Sequence, residues 1–350
     1  MDSLKLGKKL MVFAYLFDNG PAFTGFRNND LSKIDVINLS FGIIYEGKVS
    51  VKSVPNIREI ISSAHDVRTK VVLAIGGWGV NGFSDAVYDD KSRKIFIDSI
   101  IDKIKIYKLD GIDIDWEYPS SSAGGNKGRS EDIKNLNIFM KELRERLNEV
   151  NEDLILSIAV ASGEWAANKY YDLETLNNYV DYVHLMSYDL INYPTDNNPN
   201  VKITHHTNLY PSKYSVSSAD AGVNALIRHG ISKDKINLGI AFYGHVYETN
   251  EETKIGLNCI SDRNKKRTIS YKKIKDNILS DANYTVFYDE TAHSNWIFGN
   301  KTVFSYDSEI SIESKCEYAK DLGLNGVMIW EYCKDDDSSS LLDCINNNVY

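Results

Sequence analysis

Eight short runs rich in Val, Ile, Leu and Phe recur along the chain, at 10–17, 34–42, 70–78, 109–118, 154–163, 180–189, 235–244 and 325–332. All but one are followed by enough chain for a helix. Runs that stay apolar almost throughout are buried on both faces, and helical patterns between them indicate a parallel sheet covered on each side. Eight such units suggest closure into an α/β (β/α)8 TIM barrel. The intervening segments agree. Phe96, Ile97, Ile100, Ile101, Ile104 and Tyr107 recur at helical spacing, as do Ile133, Leu136, Met140, Leu143 and Leu147 in the next such segment. One interval breaks the rhythm: about 80 residues separate the seventh run from the eighth, more than a loop and a helix need. The polar, Tyr-containing piece 246–304 is therefore expected to form a small α+β insertion subdomain between strand 7 and the final βα region. Residues 1–245 and 305–350 would make the barrel.

Charge narrows the partners. A formal charge of -9 and a pI near 5.4 argue against nucleic acid or an anionic membrane, both of which reward clustered Lys and Arg. No run approaches the roughly 18 uninterrupted apolar residues of a spanning helix. The segment "KKLMVFAYLF" imitates a basic-then-apolar leader but has no small-residue cleavage site, and it reads as a first strand. Cys259, Cys316, Cys333 and Cys344 show neither a C-x-x-C pair nor zinc-finger spacing. A Cys333–Cys344 disulfide and free thiols are both open. The adjacent pair His205 and His206 reads as loop packing, and no metal or cofactor is expected.

The run "DGIDIDWEYP" (110–119) poses the main question, because a buried strand should not carry four acids. Side chains alternate along a strand, so Gly111, Asp113, Asp115 and Glu117 share one face while Ile112, Ile114 and Trp116 share the other. The outward face of a barrel strand packs on helices, which assigns the acids to the interior. Burying one unpaired carboxylate costs several kcal/mol, and neighbouring like charges raise one another's pKa. No Lys or Arg lies on that face of the run to make a salt-bridged row. Shared protons along the row are the expected outcome, with Glu117 protonated near neutrality and able to donate at the C-terminal end of the strand, where barrel active sites lie. A divalent-metal site made from three carboxylates is the alternative.

Aromatic residues gather at the same ends of the strands. Trp78, Trp116, Trp165 and Trp330 sit in or just after predicted strands, with Tyr15, Phe41, Tyr188 and Tyr243 in equivalent positions. Any one of them could be core packing. As a set they favour a neutral, ring-shaped ligand such as a sugar, whose C–H faces stack on aromatic rings.

These residues resemble the family 18 glycoside hydrolases, which include chitinases. The motif at Asp110, Asp113, Asp115 and Glu117 matches the family's D-x-x-D-x-D-x-E signature. "LAIGGWG" is similar to its third-strand motif, "LMSYD" to the sixth, "LGIAFYG" to the seventh and "GVMIWEY" to the eighth. The resemblance implies a retaining hydrolase of β-1,4-linked N-acetylglucosamine polymers, assisted by the substrate's own N-acetyl group. It assigns catalysis to Glu117 as proton donor, Asp115 as orienting acid, Asp113 behind it and Tyr188 on the acetamido group. Tyr15, Phe41, Gly77, Trp78, Tyr118, Met186, Asp189, Tyr243, His245 and Trp330 would bind substrate. Ala74 stands where the family's third strand carries Ser, so Asp113 is expected to lack one hydroxyl donor, and His245 stands where chitinases commonly have Arg. The resemblance further implies a monomer acting on extracellular chitin or its oligomers. It leaves open an endo-β-N-acetylglucosaminidase acting on glycans or peptidoglycan, or a non-catalytic chitin-binding lectin.

Overall fold

The computed structural model describes residues 9–18, 23–27, 29–191, 202–261 and 267–350. In order, the chain forms β1 (Met11–Phe17), β2 (Val36–Tyr45), β3 (Lys48–Ser50), β4 (Lys70–Gly76) and β5 (Gly111–Asp115). There follow β6 (Ile155–Ala161), β7 (Tyr182–Met186), β8 (Ile236–Ala241), β9 (Tyr243–Glu248) and β10 (Arg267–Ser270). The last are β11 (Thr285–Asp289), β12 (Ser294–Gly299), β13 (Thr302–Tyr306) and β14 (Gly326–Trp330). Strands β1, β2, β4, β5, β6, β7, β8 and β14 pair in parallel, and β1 pairs with both β2 and β14, which closes the barrel. Each of the eight apolar runs supplies one barrel strand. The strands stop short of several run ends: β5 ends at Asp115 and β7 at Met186, so Glu117, Tyr188 and Asp189 stand just beyond the ladder, in the loops of the mouth.

Strand alternation sorts the core into two layers. Inside the barrel lie Phe13, Tyr15, Val36, Val72, Ala74, Ile155 and Met328. Outside it, Ile112 and Ile114 pack beneath the helices Asp90–Tyr107 and Asp132–Val150. Rings stack outward from the strand: Trp116 on Phe83 at 5.1 Å between centroids, and Phe96 on Phe139 at 5.3 Å, with Phe83 meeting Phe96 edge-on at 6.0 Å. Full burial of one such side chain stabilises by about 1.5–3 kcal/mol. Trp116 is thus a core residue under the helices and not part of the mouth, as the parity of its position demands. Ile133 is only half-buried, and Phe139 takes the covered position on that helix.

A second, antiparallel sheet follows β8 directly, in the order β10-β9-β13-β12-β11, and runs from Tyr243 to Tyr306. Its own small core holds Ile203, Tyr247, Leu257, Trp296 and Val303. It is tied to the barrel by a buried ion pair. Lys315, on the helix Glu309–Leu322, donates to Asp307 Oδ1 and Oδ2 at 2.9 and 2.6 Å and to Thr207 Oγ1 at 2.7 Å. Asp307 also accepts from Ser311 Oγ at 2.8 Å and from the backbone N–H of Ala241, at the end of β8, at 3.0 Å. All four cysteines are unpaired. Among the described residues no helix is long and apolar enough to cross a membrane.

Because removing one partner of such a pair strands a buried charge, Lys315→Met should destabilise the chain by about 3–5 kcal/mol. Urea unfolding followed by circular dichroism reads that loss. Native-like stability in the variant would show that the pair contributes nothing.

Candidate active site

The row of acids points inward as alternation requires, and Asp113 and Asp115 are both buried. Around Asp113 the neighbouring strands supply hydroxyls. Tyr15, on β1, donates to Oδ2 at 2.6 Å, and Ser157, on β6, donates to Oδ1 at 2.7 Å. Ser157 stands directly opposite Asp113 in the β5–β6 register, while Ala74 stands opposite it on β4. Ala74 thus leaves the β4 side of Asp113 without a hydroxyl, as expected, and Ser157 donates from the β6 side. Deeper in the barrel His184 brings Nε2 to 3.7 Å from Asp113, and its ring nitrogens lie 3.1 Å from the amide nitrogens of Asn38 and Asn237. Burial drives the His184 pKa down to about 3, so the ring is neutral and offers the row no positive charge.

Protonation follows from this setting. Burial pushes Asp113 up to about 6, against the opposing pull of hydrogen bonds from Tyr15, Ser157 and Asn38. Asp115 is driven well above the usual carboxylate range by burial and then by the charges of Glu117 and Asp113. Its Oδ1 is buried without a hydrogen-bond partner. Burial pushes Glu117 up to about 7; hydrogen bonding with Tyr118 opposes this and the charge of Asp189 adds to it. Asp115 and Glu117 interact strongly enough that protons leave the pair in shared steps. Both oxygens of Asp113 are engaged by hydroxyl donors, so the row does not present three free carboxylates to a cation.

The predicted aromatic residues fall into two groups. Tyr15, Phe41 and Trp330 meet at one side of the mouth. Phe41 stacks on Trp330 at 5.7 Å, and Tyr15 meets Trp330 edge-on at 5.6 Å. Gly77 makes that grouping possible: its φ is +89°, and a Cβ there would come within 2.7 Å of the Phe41 ring. Further round the mouth Trp78 is 64 % exposed and touches Tyr118 edge-on at 6.4 Å, while Tyr118 stacks on Tyr170 at 4.8 Å. Trp165 is equally exposed at the rim. Tyr188 is buried, its hydroxyl 3.6 Å from Met328 Sδ, and Met186 packs half-buried on the barrel interior.

Asp189 has a left-handed backbone, φ 55°, and its carboxylate accepts from Tyr243 Oη at 2.6 Å and contacts His245 Nε2. Burial would raise its pKa, but the His245 contact prevails and holds it below the usual range. Tyr243 and His245 both belong to β9, so the second sheet forms this wall of the mouth. His205 behaves as loop packing, 3.3 Å from Asp289 and with its ring against Trp296.

Sequence reasoning missed Ser157, Asn38, His184 and Tyr171. Tyr171 Oη accepts from the Ala161 N–H at 3.2 Å and is buried close enough to feel the charges of Glu117 and Asp115. Alternation within 154–163 and 180–189 places Ser157 and His184 inward, but only the register between strands shows that they face an acid.

The mouth thus combines a carboxylic acid protonated near neutrality, a buried acid with an unpartnered oxygen, and aromatic walls. The sequence profile of the glycosyl hydrolases family 18 matches residues 12–335. Chitinase A1 of Niallia circulans is 29 % identical over 291 residues, covering 76 % of this chain and 40 % of its own length. The class V chitinase CHIT5a of Medicago truncatula is 30 % identical, with 77 % and 71 % covered. This chain thus spans well under two thirds of several curated relatives, among them a probable chitinase of Drosophila melanogaster of which 56 % is covered. A solved family 18 N-acetylglucosaminidase from Paenibacillus barengoltzii superposes with a TM-score of 0.88 at 28 % identity, with 97 % of this chain and 99 % of that one aligned. With the profile match running over nearly the whole barrel, the chain belongs to family 18 of the glycosyl hydrolases.

Proposed function

We propose that the chain hydrolyses β-1,4 bonds between N-acetylglucosamine units of chitin or its oligomers, with retention and with help from the substrate's N-acetyl group. The observation that carries this reading is the row itself. Asp113, Asp115 and Glu117 lie in single file on one strand and the loop after it, while Asp189, a further acid of the mouth, is already engaged by Tyr243 and His245.

In the proposed reaction the acetamido oxygen attacks the anomeric carbon as the bond to the leaving oxygen breaks, and Glu117 gives its proton to that oxygen. Asp115, whose Oδ1 has no partner within the protein, accepts the acetamido N–H and offsets the positive charge growing on the oxazolinium ring. Tyr188 holds the acetamido oxygen in line. Water then attacks the same carbon, the ionised Glu117 takes its proton, and the ring opens. Asp113, held by Tyr15 and Ser157, takes up part of the proton that Asp115 shares. Tyr15, Phe41 and Trp330 floor one sugar site, and Trp78, Tyr118, Asp189, Tyr243 and His245 line its neighbours. The piece 246–304 acts as an insertion that deepens the cleft, and we place the work outside the cell, where chitin occurs, by a monomer. A second reading draws on the Paenibacillus barengoltzii neighbour, described as an N-acetylglucosaminidase, and differs in releasing single sugars. Product lengths from oligomers of increasing size separate the two.

Glu117→Gln should lower kcat by about 10²–10⁴, the usual contribution of a positioned proton donor. In the native enzyme kcat/KM should fall as pH rises through about 7, because Glu117 loses its proton there. Binding of chitin oligomers with no native turnover above the Gln variant across that range would leave a lectin as the better reading. Fully deacetylated oligomers should not be cut, since they carry no acetamido oxygen; equal cleavage of both forms would exclude substrate assistance.

The same burial has a consequence for stability. The folded-state pKa of Glu117 is raised, so its favourable contribution is complete below the unfolded value and is lost as pH rises through about 7. Glu117→Gln should therefore stabilise the fold above neutral pH, by on the order of 1–3 kcal/mol, with the gain vanishing in acid. Thermal melts of both proteins across pH check the sign.

A further inference from the structure

Two imidazoles converge on the carboxylate that walls the mouth. His245 contacts Asp189 Oδ1 through Nε2, and His206 Nδ1 stands 3.9 Å from the same oxygen. The two rings are 4.7 Å apart between centroids. His206 is fully buried. The Tyr243 backbone, Asp189 and His245 all act on its ring, yet neither ring nitrogen closes a hydrogen bond of sound geometry. His245 Nδ1 closes none either. Buried polar atoms left in this state call for a partner, and a solvent molecule or an ion is the usual one. One donor atom from each of Asp189, His206 and His245 lies within 4.8 Å of the other two.

We propose that Asp189, His206 and His245 form a binding site for a divalent transition-metal ion of the Zn²⁺ class. Two imidazoles and one carboxylate suit Zn²⁺ or Cu²⁺, whereas Mg²⁺ and Ca²⁺ favour oxygen-only shells. Around a tetrahedral ion with bonds of about 2.0–2.1 Å the donors stand ~3.3 Å apart, so Asp189 and His245, now in direct contact, must separate by roughly 1 Å while His206 closes on both. Asp189 can supply that movement, its side chain being 43 % exposed. The His206 backbone is pinned: its N–H donates to Ser305 Oγ at 3.0 Å and its carbonyl accepts from the Leu190 N–H at 2.9 Å. Tyr243 Oη, donating to Asp189 at 2.6 Å, orients the carboxylate as outer-shell donors commonly do. Three protein ligands leave a fourth position for water or a sugar hydroxyl.

The ion would sit where the proposed function needs a free carboxylate. The charge of Asp189 helps keep Glu117 protonated, and a cation beside it removes that support while occupying the oxygen that a sugar would use. Metal and substrate are thus expected to compete. The effect on turnover rests on the chitinase reading; the ion site stands on the side chains alone.

Calorimetric titration with ZnCl₂ of the chelator-treated chain, its thiols alkylated, reads the site directly at neutral pH. The expected result is uptake of one ion per chain, weakened by at least roughly tenfold in both His206→Ala and His245→Ala, with no heat from MgCl₂. His206→Asn, which keeps a polar side chain in the buried position, guards against a folding defect in His206→Ala and should lose the ion equally. An absence of saturable Zn²⁺ uptake by the native chain, or uptake unchanged in the His variants, overturns the proposal. Calorimetry decides the matter whether or not the chain cleaves chitin. Where it does, Zn²⁺ should raise KM for oligomers in the native chain and leave KM unchanged in His206→Asn; equal inhibition of both would place the ion elsewhere.

Discussion

Carboxyl groups lined up inside one barrel, with no salt bridge to Lys or Arg among the described residues, repel each other and resist ionisation, and the surrounding architecture is arranged around that repulsion. At the inner end Asp113 is given two hydroxyl donors and settles near an ordinary buried acid. In the middle Asp115 keeps one oxygen without any partner. At the rim Glu117 holds a proton near neutrality. Hydrogen bonding is thus complete at Asp113 and incomplete at Asp115, and what the protein leaves undone there is what a bound amide can complete.

The same chain handles buried charge in the opposite way elsewhere. Asp307 meets Lys315, two hydroxyl-bearing neighbours on their network and a backbone N–H, and the arrangement joins β8, the second sheet and a barrel helix. Such a compensated pair serves structure. An uncompensated row serves chemistry, and its destabilising effect is offset by the apolar layer under the helices, where the rings of Trp116, Phe83, Phe96 and Phe139 pack directly behind the acidic strand. The segment that carries Glu117 is thus anchored on its outer face by the residue next to it in the chain.

Much of this was legible beforehand, and the failures are instructive. The eight strands, the helices between them and the inward set Asp113 and Asp115 follow from periods of 2 and 3.6, which are local properties of the backbone. Trp116 was grouped with the mouth because it stands at a strand end, although its odd parity relative to the acids already assigned it to the other face. Ala74 does leave Asp113 without a hydroxyl on the β4 side, but the Ser157 hydroxyl on the β6 side could not be read from the motif. His206 looked like filler in a polar loop, since no sequence pattern shows which carboxylate a loop histidine meets.

What the sequence determined by itself is the number of strands, the side of each on which its residues lie, and the presence of unpaired acids on an inward face. What the tertiary structure decided is which residues stand across from one another: Ser157 beside Asp113, Phe41 over Gly77 and against Trp330, and Tyr243 and His245 against Asp189. The division has a physical cause. Alternation is imposed by the geometry of each residue's own backbone, whereas register between strands is set only when the barrel closes and a second sheet starts at its edge, through contacts between segments far apart in the chain.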